Sequence, residues 1–332
     1  MNAYLIIAHN DPENLNRIVK NLLNNENTFI VHLDLKTNLN EFKSNLESSV
    51  LSKIEFIEDR TEVFWGDFSM VDAMLKLMKY AVNSGEIFDH LIFLSGNDYP
   101  IKSAKEISDF FNEYKGEEII RAYNLSDNGC RHCQSKIKNY WFFDNNKSSS
   151  MVGKILMKSR ILLFSPLKKG RFVKINGEKK PVYYGSQWFA ITQECAKYIV
   201  CFYEKNPNFK KYFKHSFAPD EMFFHTIIFN STFASKTFKG IDRYNSEWSL
   251  NNYTYLNSID LNCKNQSQNQ TLNFLFRKRK KNSGQGSYQG SIAFYDETEY
   301  RNIINSKFLF VRKVKSEYSN NLIKLIDKKN SF

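Results

Sequence analysis

Two adjacent carboxylates, Asp220 and Glu221, follow Pro219 in the segment SFAPDEMFFHTIIFNS, residues 216–231. Proline suits the first turn of a helix, and acidic side chains there interact favourably with the positive end of the helix dipole. A carboxylate can also act as a general base if its surroundings bring its pKa towards neutral pH, and burial among the neighbouring phenylalanines would do so. The segment alone leaves both interpretations open.

Five other segments place polar side chains at the ends of apolar runs or beside glycines. Taken singly, each can be a solvated strand end or a surface charge pair. Their order and spacing have no such explanation, and they are therefore candidates for one shared site. The segments are VHLDLK (31–36), EVFWGDFS (62–69), LSGNDYPIK (94–102), YYGSQWFAIT (183–192) and FLFVRKV (308–314).

The first 125 residues alternate short apolar runs with helical patterns, which indicates parallel strands joined by crossover helices. Ser69 with Asp72 has capping-box spacing, and Ser103 is a further predicted N-cap. The fold class predicted is therefore an open, mostly parallel α/β sheet. The predicted strands are 3–9, 29–34, 53–58, 90–96 and 118–123, and the predicted helices are 13–25, 69–84 and 103–114.

In an open α/β sheet, ligands bind beyond the carboxyl ends of the strands. The loops after Ala8, Asp34 and Gly96 are therefore the first places where a site is expected. The chain has no GxGxxG after the first strand and no GxxxxGKS, so neither the dinucleotide fingerprint nor the P-loop is present.

The second half of the chain is less regular. A turn is expected at Asn176-Gly177, a strand over 181–192, and helices over 193–205 and 318–329. The stretch MVGKILMKSRILLFS (151–165) mixes apolar residues with lysine and arginine. It is either a helix packed on the core or a basic amphipathic helix lying on a membrane surface.

The composition is that of a soluble globular protein, with 42% hydrophobic and 25% charged residues among 332. The formal net charge is +12, and residues from Thr271 onward carry 13 Lys and Arg against 5 Asp and Glu. Such a surface favours polyanions, whether nucleic acid, anionic lipid or nucleotide phosphates. Charge alone does not choose among them.

The first residues lack a secretion signal, and no run of about 18 apolar residues is long enough for a membrane span, so a cytoplasmic protein is expected. The cysteines are odd in number and widely spaced, which favours reduced thiols. The CRHC pair has no second pair to complete a zinc site, and metal binding is disfavoured. The cysteines are Cys130, Cys133, Cys195, Cys201 and Cys263.

The ordered segments resemble the core-2/I-branching N-acetylglucosaminyltransferases and the related peptide O-xylosyltransferases. That family has a HxDxK segment, a WGG turn, an LSGxDYPI turn, a GSxWF strand, a PDExFFxT helix and a terminal FARKF segment in the same order. The resemblance spans about residues 3–125 and 182–315 and is strongest in APDEMFFHTIIFNS. The disulfide pattern of the animal enzymes does not map onto this chain, which suggests a bacterial-type member.

The resemblance implies a Rossmann-like GT-A type glycosyltransferase fold, a UDP-sugar donor, inverting chemistry and no required metal or other cofactor. It implies a catalytic domain over 1–240, and a basic segment over 241–332 that packs on the same domain and completes the donor diphosphate site. No Asp-x-Asp stands at a strand end, where many such enzymes hold a divalent ion on the diphosphate.

The resemblance also implies roles for the carboxylates and for two basic residues. Glu221 would be the general base, and Asp220 would support the helix start or contact the substrate. Arg312 and Lys313 would stabilise the negative charge of the departing UDP, in place of a metal ion.

Other positions match the nucleotide and sugar sites of the family. Asp98 and Trp188 would border the sugar and the acceptor, although Trp188 can also be a core tryptophan. The positions that would lie against the nucleotide are Ile7, Ala8, Asp34, Phe64 and Trp65.

Two departures from the family bear on the phosphate site. The turn reads WGD, so Asp67 adds a negative charge where the family often has glycine. Gly290 stands where the branching enzymes have an arginine, which leaves open whether Arg312 or the RKRKK cluster (277–281) compensates.

The expected function is therefore transfer of a sugar, with N-acetylglucosamine and xylose as the two precedents, from a UDP donor to a hydroxyl of a glycan. A surface polysaccharide or lipid-linked oligosaccharide is the expected acceptor, and the basic surface would keep the enzyme on the inner face of an anionic membrane. Two alternatives stay open: a basic nucleic-acid-binding protein, and an inactive sugar-binding relative. The ordered segments favour the enzyme, with no nucleic-acid partner.

Overall fold

The computed structural model describes residues 1–24, 26–127, 131–141, 155, 159–160, 162–164, 166–238, 252–255, 288–289 and 292–330. The strands are β1 (Asn2–Ala8), β2 (Asn27–Leu33), β3 (Ile54–Phe56), β4 (His90–Ser95), β5 (Asp98–Pro100), β6 (Tyr123–Asn124), β7 (Phe172–Ile175), β8 (Glu178–Pro181), β9 (Tyr183–Tyr184), β10 (Ala190–Ile191), β11 (Thr254–Tyr255), β12 (Tyr288–Gln289), β13 (Ile292–Ala293) and β14 (Phe310–Arg312).

The α-helices lie between these strands and after the last of them. They are α1 (Pro12–Leu22), α2 (Leu39–Ser44), α3 (Ser48–Leu51), α4 (Ser69–Asn83), α5 (Ala104–Glu113), α6 (Arg131–Lys138), α7 (Gln193–Lys205), α8 (Pro207–Lys214), α9 (Phe223–Phe229), α10 (Tyr300–Ile304) and α11 (Ser316–Asn330). Short 3₁₀ turns span Pro219–Glu221, Thr232–Lys236 and Glu297–Glu299.

The central sheet has the strand order β10-β4-β1-β2-β3. β1 pairs in parallel with both β2 and β4, β2 pairs in parallel with β3, and only β10 runs antiparallel. Every residue of β1 and β4 is buried, as expected for central strands covered by helices on both faces. The predicted α/β fold with a mostly parallel sheet is confirmed.

The C-terminal part of the chain pairs with β5, the strand that follows β4 of the central sheet. β14 pairs antiparallel with β5 and parallel with β11, so Arg312 lies opposite Asp98. The division into 1–240 and 241–332 stays a prediction, because much of the second range lies outside the described residues.

Two local predictions were wrong. Residues 118–123 do not form one continuous strand: Glu118 bridges Thr237, Ile119 bridges Ala190 of β10, and Tyr123 begins β6. α4 begins at Ser69 with no side-chain cap, because the Ser69 hydroxyl accepts a hydrogen bond from the Phe64 N–H instead.

Other local predictions hold. Ser103 and Glu106 form the reciprocal capping box at the start of α5. Asn176 and Gly177 have φ values of 51° and 84°, the conformation that a two-residue turn between β7 and β8 requires. The run predicted as one strand over 181–192 is divided into short strands around Gly185.

The cysteine prediction needs a correction. Cys195 and Cys201 are free, but Cys133 is disulfide-bonded, and its partner lies outside the described residues. Cys130, Cys263, Gly290 and the RKRKK cluster also lie outside them, as does most of 151–165. Within the described chain, no helix combines the length and apolar character needed to cross a bilayer.

Glu118 is a buried carboxylate that supports the start of α7. Its two oxygens accept hydrogen bonds from the N–H and the hydroxyl of Thr192, both at 2.8 Å, and Thr192 caps α7. Burial raises the pKa of Glu118 from 4.5 to about 7, in spite of these hydrogen bonds.

We expect the Glu118 contribution to the free energy of unfolding to fall as pH rises from about 4.5 to about 7, because Glu118 keeps its proton in the folded chain and loses it in the unfolded chain in this window. The Glu118 contribution is on the order of 3 kcal/mol. Glu118→Gln, which is always neutral, should remove it, and Glu58→Gln, at an exposed position, should not. Urea unfolding at pH 5 and pH 7.5 measures the difference, and equal slopes in wild type and Glu118→Gln would contradict it.

Candidate active site

The carboxyl ends of three neighbouring strands meet at one edge of the sheet. The Asp34 N–H donates to the Ala8 carbonyl at 2.8 Å, and the Gly96 N–H donates to the Ile7 carbonyl at 2.9 Å. A Cβ at Gly96 would lie 3.1 Å from the Ala8 Cβ, so glycine permits this close packing. The residues that follow β2 and β4, where the site was predicted, are thus hydrogen-bonded to the end of β1.

Arg312 and Asp98 form a buried ion pair at this edge. Arg312 Nη1 lies 3.0 Å from Asp98 Oδ1, and Asp98 is completely buried. Burial raises the pKa of the Asp98 carboxyl, while Arg312 and the Ser95 N–H oppose that rise. The guanidinium carbon of Arg312 lies 4.2 Å from the centre of the Trp188 ring, so Trp188 is both a buried side chain and a platform for the cation.

Lys313 and His9 place further ionisable groups near Arg312. Burial, and next the charge of Arg312, lower the pKa of Lys313 to about 8. The pKa of His9 is also lowered, chiefly by burial, while Asp34 opposes this and the charges of Arg312 and Lys313 add to it. The charges of Asp34, Arg312 and Lys313 all act on His9, so these side chains lie near one another. An anion bound among them would interact with the positive charges of Arg312 and Lys313.

The predicted nucleotide-binding residues fall into two groups. Lys36 Nζ lies 2.9 Å from Asp34 Oδ2 and 4.3 Å from the centre of the Phe64 ring, which joins Asp34 and Phe64 on one wall. Trp65 is 60% exposed and packs edge-on against Phe217, two residues before Pro219. Trp65 therefore packs on the segment that leads to the two carboxylates, whereas Phe64 lies against Lys36.

Glu221 is held by one of its two carboxylate oxygens. Lys136 Nζ lies 2.7 Å from Glu221 Oε2, and the Tyr184 hydroxyl donates to the same oxygen at 2.8 Å. Lys136 also donates to the Tyr184 hydroxyl at 2.6 Å. Oε1 makes no hydrogen bond to any described residue, and the side chain is 29% exposed. One oxygen is thus fixed and the other is open to a substrate.

The backbone of Glu221 is fixed as tightly as its side chain. The Gly185 N–H donates to the Glu221 carbonyl at 2.8 Å. A Cβ at Gly185 would lie 2.3 Å from the Arg121 carbonyl oxygen and 2.5 Å from the His225 ring, so no larger residue fits. Ala218, with φ of 49°, donates its N–H to the Gly66 carbonyl at 2.9 Å and turns the chain into the PDE segment.

Asp220, the neighbour of Glu221 in the PDE segment, is the second carboxylate of this group. It is 6% exposed, and burial, followed by the charge of Glu221, raises the pKa of its carboxyl above the usual range. The charges of Lys136 and Arg312 oppose this rise. Asp220 therefore responds both to the cation that holds Glu221 and to the cation that pairs with Asp98.

Lys136 and Tyr184 were not predicted as site residues. Tyr184 precedes Gly185 in the YYGSQWF segment, which the sequence analysis had already singled out, so Tyr184 could have been included as a candidate. Lys136 is one lysine among many in the irregular 125–181 region, and no sequence pattern distinguishes it. Among the described residues, no group of three or more His, Cys, Asp or Glu side chains is placed to hold a metal ion.

Comparison with known proteins places this arrangement in a family. The family model described as Core-2/I-Branching enzyme matches residues 2–275. Xylosyltransferase 2 of Rattus norvegicus is 22% identical over 235 residues, covering 69% of this chain and 24% of the relative. Beta-1,3-galactosyl-O-glycosyl-glycoprotein beta-1,6-N-acetylglucosaminyltransferase of Bos taurus is 25% identical over 235 residues, covering 68% and 48%. This chain thus spans about half or less of these relatives.

Among solved structures, the apo form of mouse xyloside xylosyltransferase 1 is similar, with a TM-score of 0.31 and 10% identity over 69% of this chain and 82% of that chain. The family match covers most of the sequence, from the start of β1 to residue 275, and includes the PDE segment. The chain belongs to the Core-2/I-Branching enzyme family of glycosyltransferases.

Proposed function

We propose that this protein is an inverting glycosyltransferase that moves a sugar from a UDP donor to a hydroxyl of a glycan, without a metal ion, with Glu221 as the general base. One observation carries the proposal. Glu221 Oε2 is anchored by Lys136 and Tyr184 while Oε1 is open, and the neighbouring Asp220 is close enough to Arg312 for that charge to lower the pKa of its carboxyl.

In the proposed reaction, Oε1 of Glu221 takes the proton of the acceptor hydroxyl. At the same time, the oxygen of that hydroxyl attacks the anomeric carbon of the donor sugar. The bond from the anomeric carbon to the diphosphate oxygen breaks with its electron pair, and UDP leaves from the opposite face. Arg312 and Lys313 stabilise the charge that develops on the leaving diphosphate. Glu221 then releases its proton to solvent, which restores the carboxylate.

Lys136 and Tyr184 have a positioning role in this scheme. Both donate to Oε2, so the carboxylate cannot rotate freely and Oε1 keeps one direction. A base held in this way acts without reorganisation when the proton moves. Asp220, the buried neighbour of Glu221, is a second carboxyl whose pKa is raised. It can accept a hydrogen bond from a sugar hydroxyl when ionised and donate one when protonated.

Incubation with radiolabelled UDP-N-acetylglucosamine and UDP-xylose, with and without EDTA and with a panel of glycan acceptors, tests the proposal. Transfer or slow donor hydrolysis that EDTA leaves unchanged supports it. Donor binding without turnover would identify an inactive sugar-binding relative. Tight, salt-sensitive RNA or DNA binding without turnover would identify a nucleic-acid-binding protein.

We expect the affinity for UDP to fall as pH rises through about 8, because Lys313 loses its charge there while the UDP phosphates stay fully ionised. The loss of one charge-assisted contact weakens binding by on the order of 10- to 100-fold. The pKa of His9 is lowered from 6.5, so His9 is neutral throughout this range and does not contribute. Isothermal titration calorimetry from pH 7 to pH 9.5 measures the effect.

Lys313→Arg is the matched control, because arginine stays charged over the whole range. It should bind UDP with little pH dependence, whereas Lys313→Met should bind weakly at every pH. A wild-type affinity that stays constant up to pH 9.5 would show that Lys313 does not bind the diphosphate.

A further inference from the structure

A surface formed by described residues between 155 and 180 exposes an unusual amount of apolar side chain. We call it the 155–180 surface. Its large apolar side chains range from 46% to 75% exposed, and in a soluble domain such a concentration marks an interaction site. These side chains are Ile155, Leu162, Leu163, Leu167 and Phe172.

The same stretch is strongly basic. Residues 155–180 contain eight Lys and Arg and a single acidic residue, Glu178. Glu178 is already paired with Lys180 at 2.7 Å. The stretch thus combines exposed apolar side chains with a local excess of basic residues.

The β7–β8 hairpin shows this charge in an unfavourable arrangement. Lys174 lies directly opposite Lys179 in the register of the two strands, and both side chains are exposed. Neither makes a hydrogen bond or ion pair with a described residue. Like charges opposite each other destabilise a hairpin, and a nearby anionic surface would reverse the sign of that interaction. Phe172 projects from the same face of β7 as Lys174.

We propose that the 155–180 surface docks on an anionic lipid bilayer. Leucine and phenylalanine side chains enter the boundary between headgroups and acyl chains, and the exposed Lys174 and Lys179 lie against lipid phosphates. A nucleic acid would satisfy the charges but would leave Leu162, Leu163 and Leu167 exposed to water. The apolar component therefore favours a membrane over a polynucleotide.

The surface is physically joined to the elements that hold Glu221. Lys169 Nζ donates to the His215 carbonyl at 2.9 Å and to the Ser216 hydroxyl at 2.8 Å, and Ser216 lies three residues before Pro219. The Lys169 N–H donates to the Lys138 carbonyl at 2.9 Å, at the end of the helix that carries Lys136. Docking would therefore bring the acceptor side of the cleft close to the bilayer. This consequence rests on the proposed function, whereas the docking itself does not.

Co-sedimentation with vesicles tests the docking. Phosphatidylcholine vesicles with about 30% phosphatidylglycerol should bind the full chain at low salt, and pure phosphatidylcholine vesicles should not. Lys174→Ala/Lys179→Ala should lower partitioning about 30-fold, since each lysine near an anionic surface contributes about five-fold. Leu162→Ser/Leu163→Ser should also lower it at least ten-fold, and neither variant should lose thermal stability, because all four side chains are exposed.

Lys53→Ala/Lys197→Ala is the matched control, with the same net charge and substitutions at exposed sites outside the surface. It should keep partitioning within three-fold of wild type. Docking would be refuted by a failure to bind anionic vesicles, by an equal loss in the control, or by RNA binding that the leucine variant leaves intact. UDP-sugar turnover is measured separately, so its absence would not be mistaken for a failure to dock.

Discussion

Glu221→Gln should lower kcat by 10²- to 10⁴-fold, equivalent to on the order of 3 to 5 kcal/mol of transition-state stabilisation. Glutamine has nearly the same shape and can still accept hydrogen bonds from Lys136 and Tyr184 through its amide oxygen. It cannot take the proton of an acceptor hydroxyl. The affinity for UDP should change little, because the proposal assigns the diphosphate to Arg312 and Lys313 and not to Glu221.

Two matched variants separate the base from its neighbours. Tyr184→Phe removes one of the two donors to Oε2 but keeps the carboxylate, so it should lower kcat about ten-fold with a shifted pH profile. Asp220→Asn tests the other carboxyl in the PDE segment. If Glu221→Gln kept more than a tenth of wild-type kcat while Asp220→Asn abolished turnover, the base would be Asp220.

Stability must be followed in the same experiment, because Lys136 is almost fully buried and is ion-paired with Glu221. A buried ammonium without a carboxylate destabilises the fold. Thermal unfolding of each variant shows whether the protein is folded at the assay temperature. A loss of turnover in a variant that unfolds well above that temperature is then a loss of chemistry.

The sequence predicted the sheet and the ends of its strands because apolar periodicity records burial directly. β1, β2 and β4 are continuous apolar runs, and the loops that follow them meet at one edge for topological reasons alone. The prediction failed over 118–123, where a buried apolar run makes isolated bridges. A short apolar run does not reveal how many of its residues pair, and here only Ile119 bridges to the edge strand β10.

The site was predicted in part for a related reason. Asp220 and Glu221 are recognisable because a proline and two carboxylates are adjacent in sequence. The interaction that orients Glu221 joins it to Lys136, 85 residues away, and to Tyr184, 37 residues away. Such contacts depend on the tertiary fold, and Lys136 in particular has no local feature that separates it from the other lysines around it.

Arg312→Gln should destabilise the fold by about 3 to 5 kcal/mol and abolish measurable UDP binding. Asp98 is completely buried, and Arg312 is its partner at 3.0 Å. Without the arginine, the Asp98 carboxylate would be an isolated charge in the interior, and its pKa would rise further until it took up a proton. The destabilisation should therefore be smaller at pH 5 than at pH 8, which urea unfolding at the two pH values measures.

The double variant Asp98→Asn/Arg312→Gln separates the two consequences of losing Arg312. It removes both charges, so most of the lost stability should return, because breaking a buried pair is worse than replacing it. UDP binding should stay absent, because a cation of the diphosphate site is still missing. Lys79→Gln, which breaks an exposed pair with Glu204, is the matched control and should leave the midpoint almost unchanged. A double variant as unstable as Arg312→Gln, or one that binds UDP normally, would contradict the dual role assigned to Arg312.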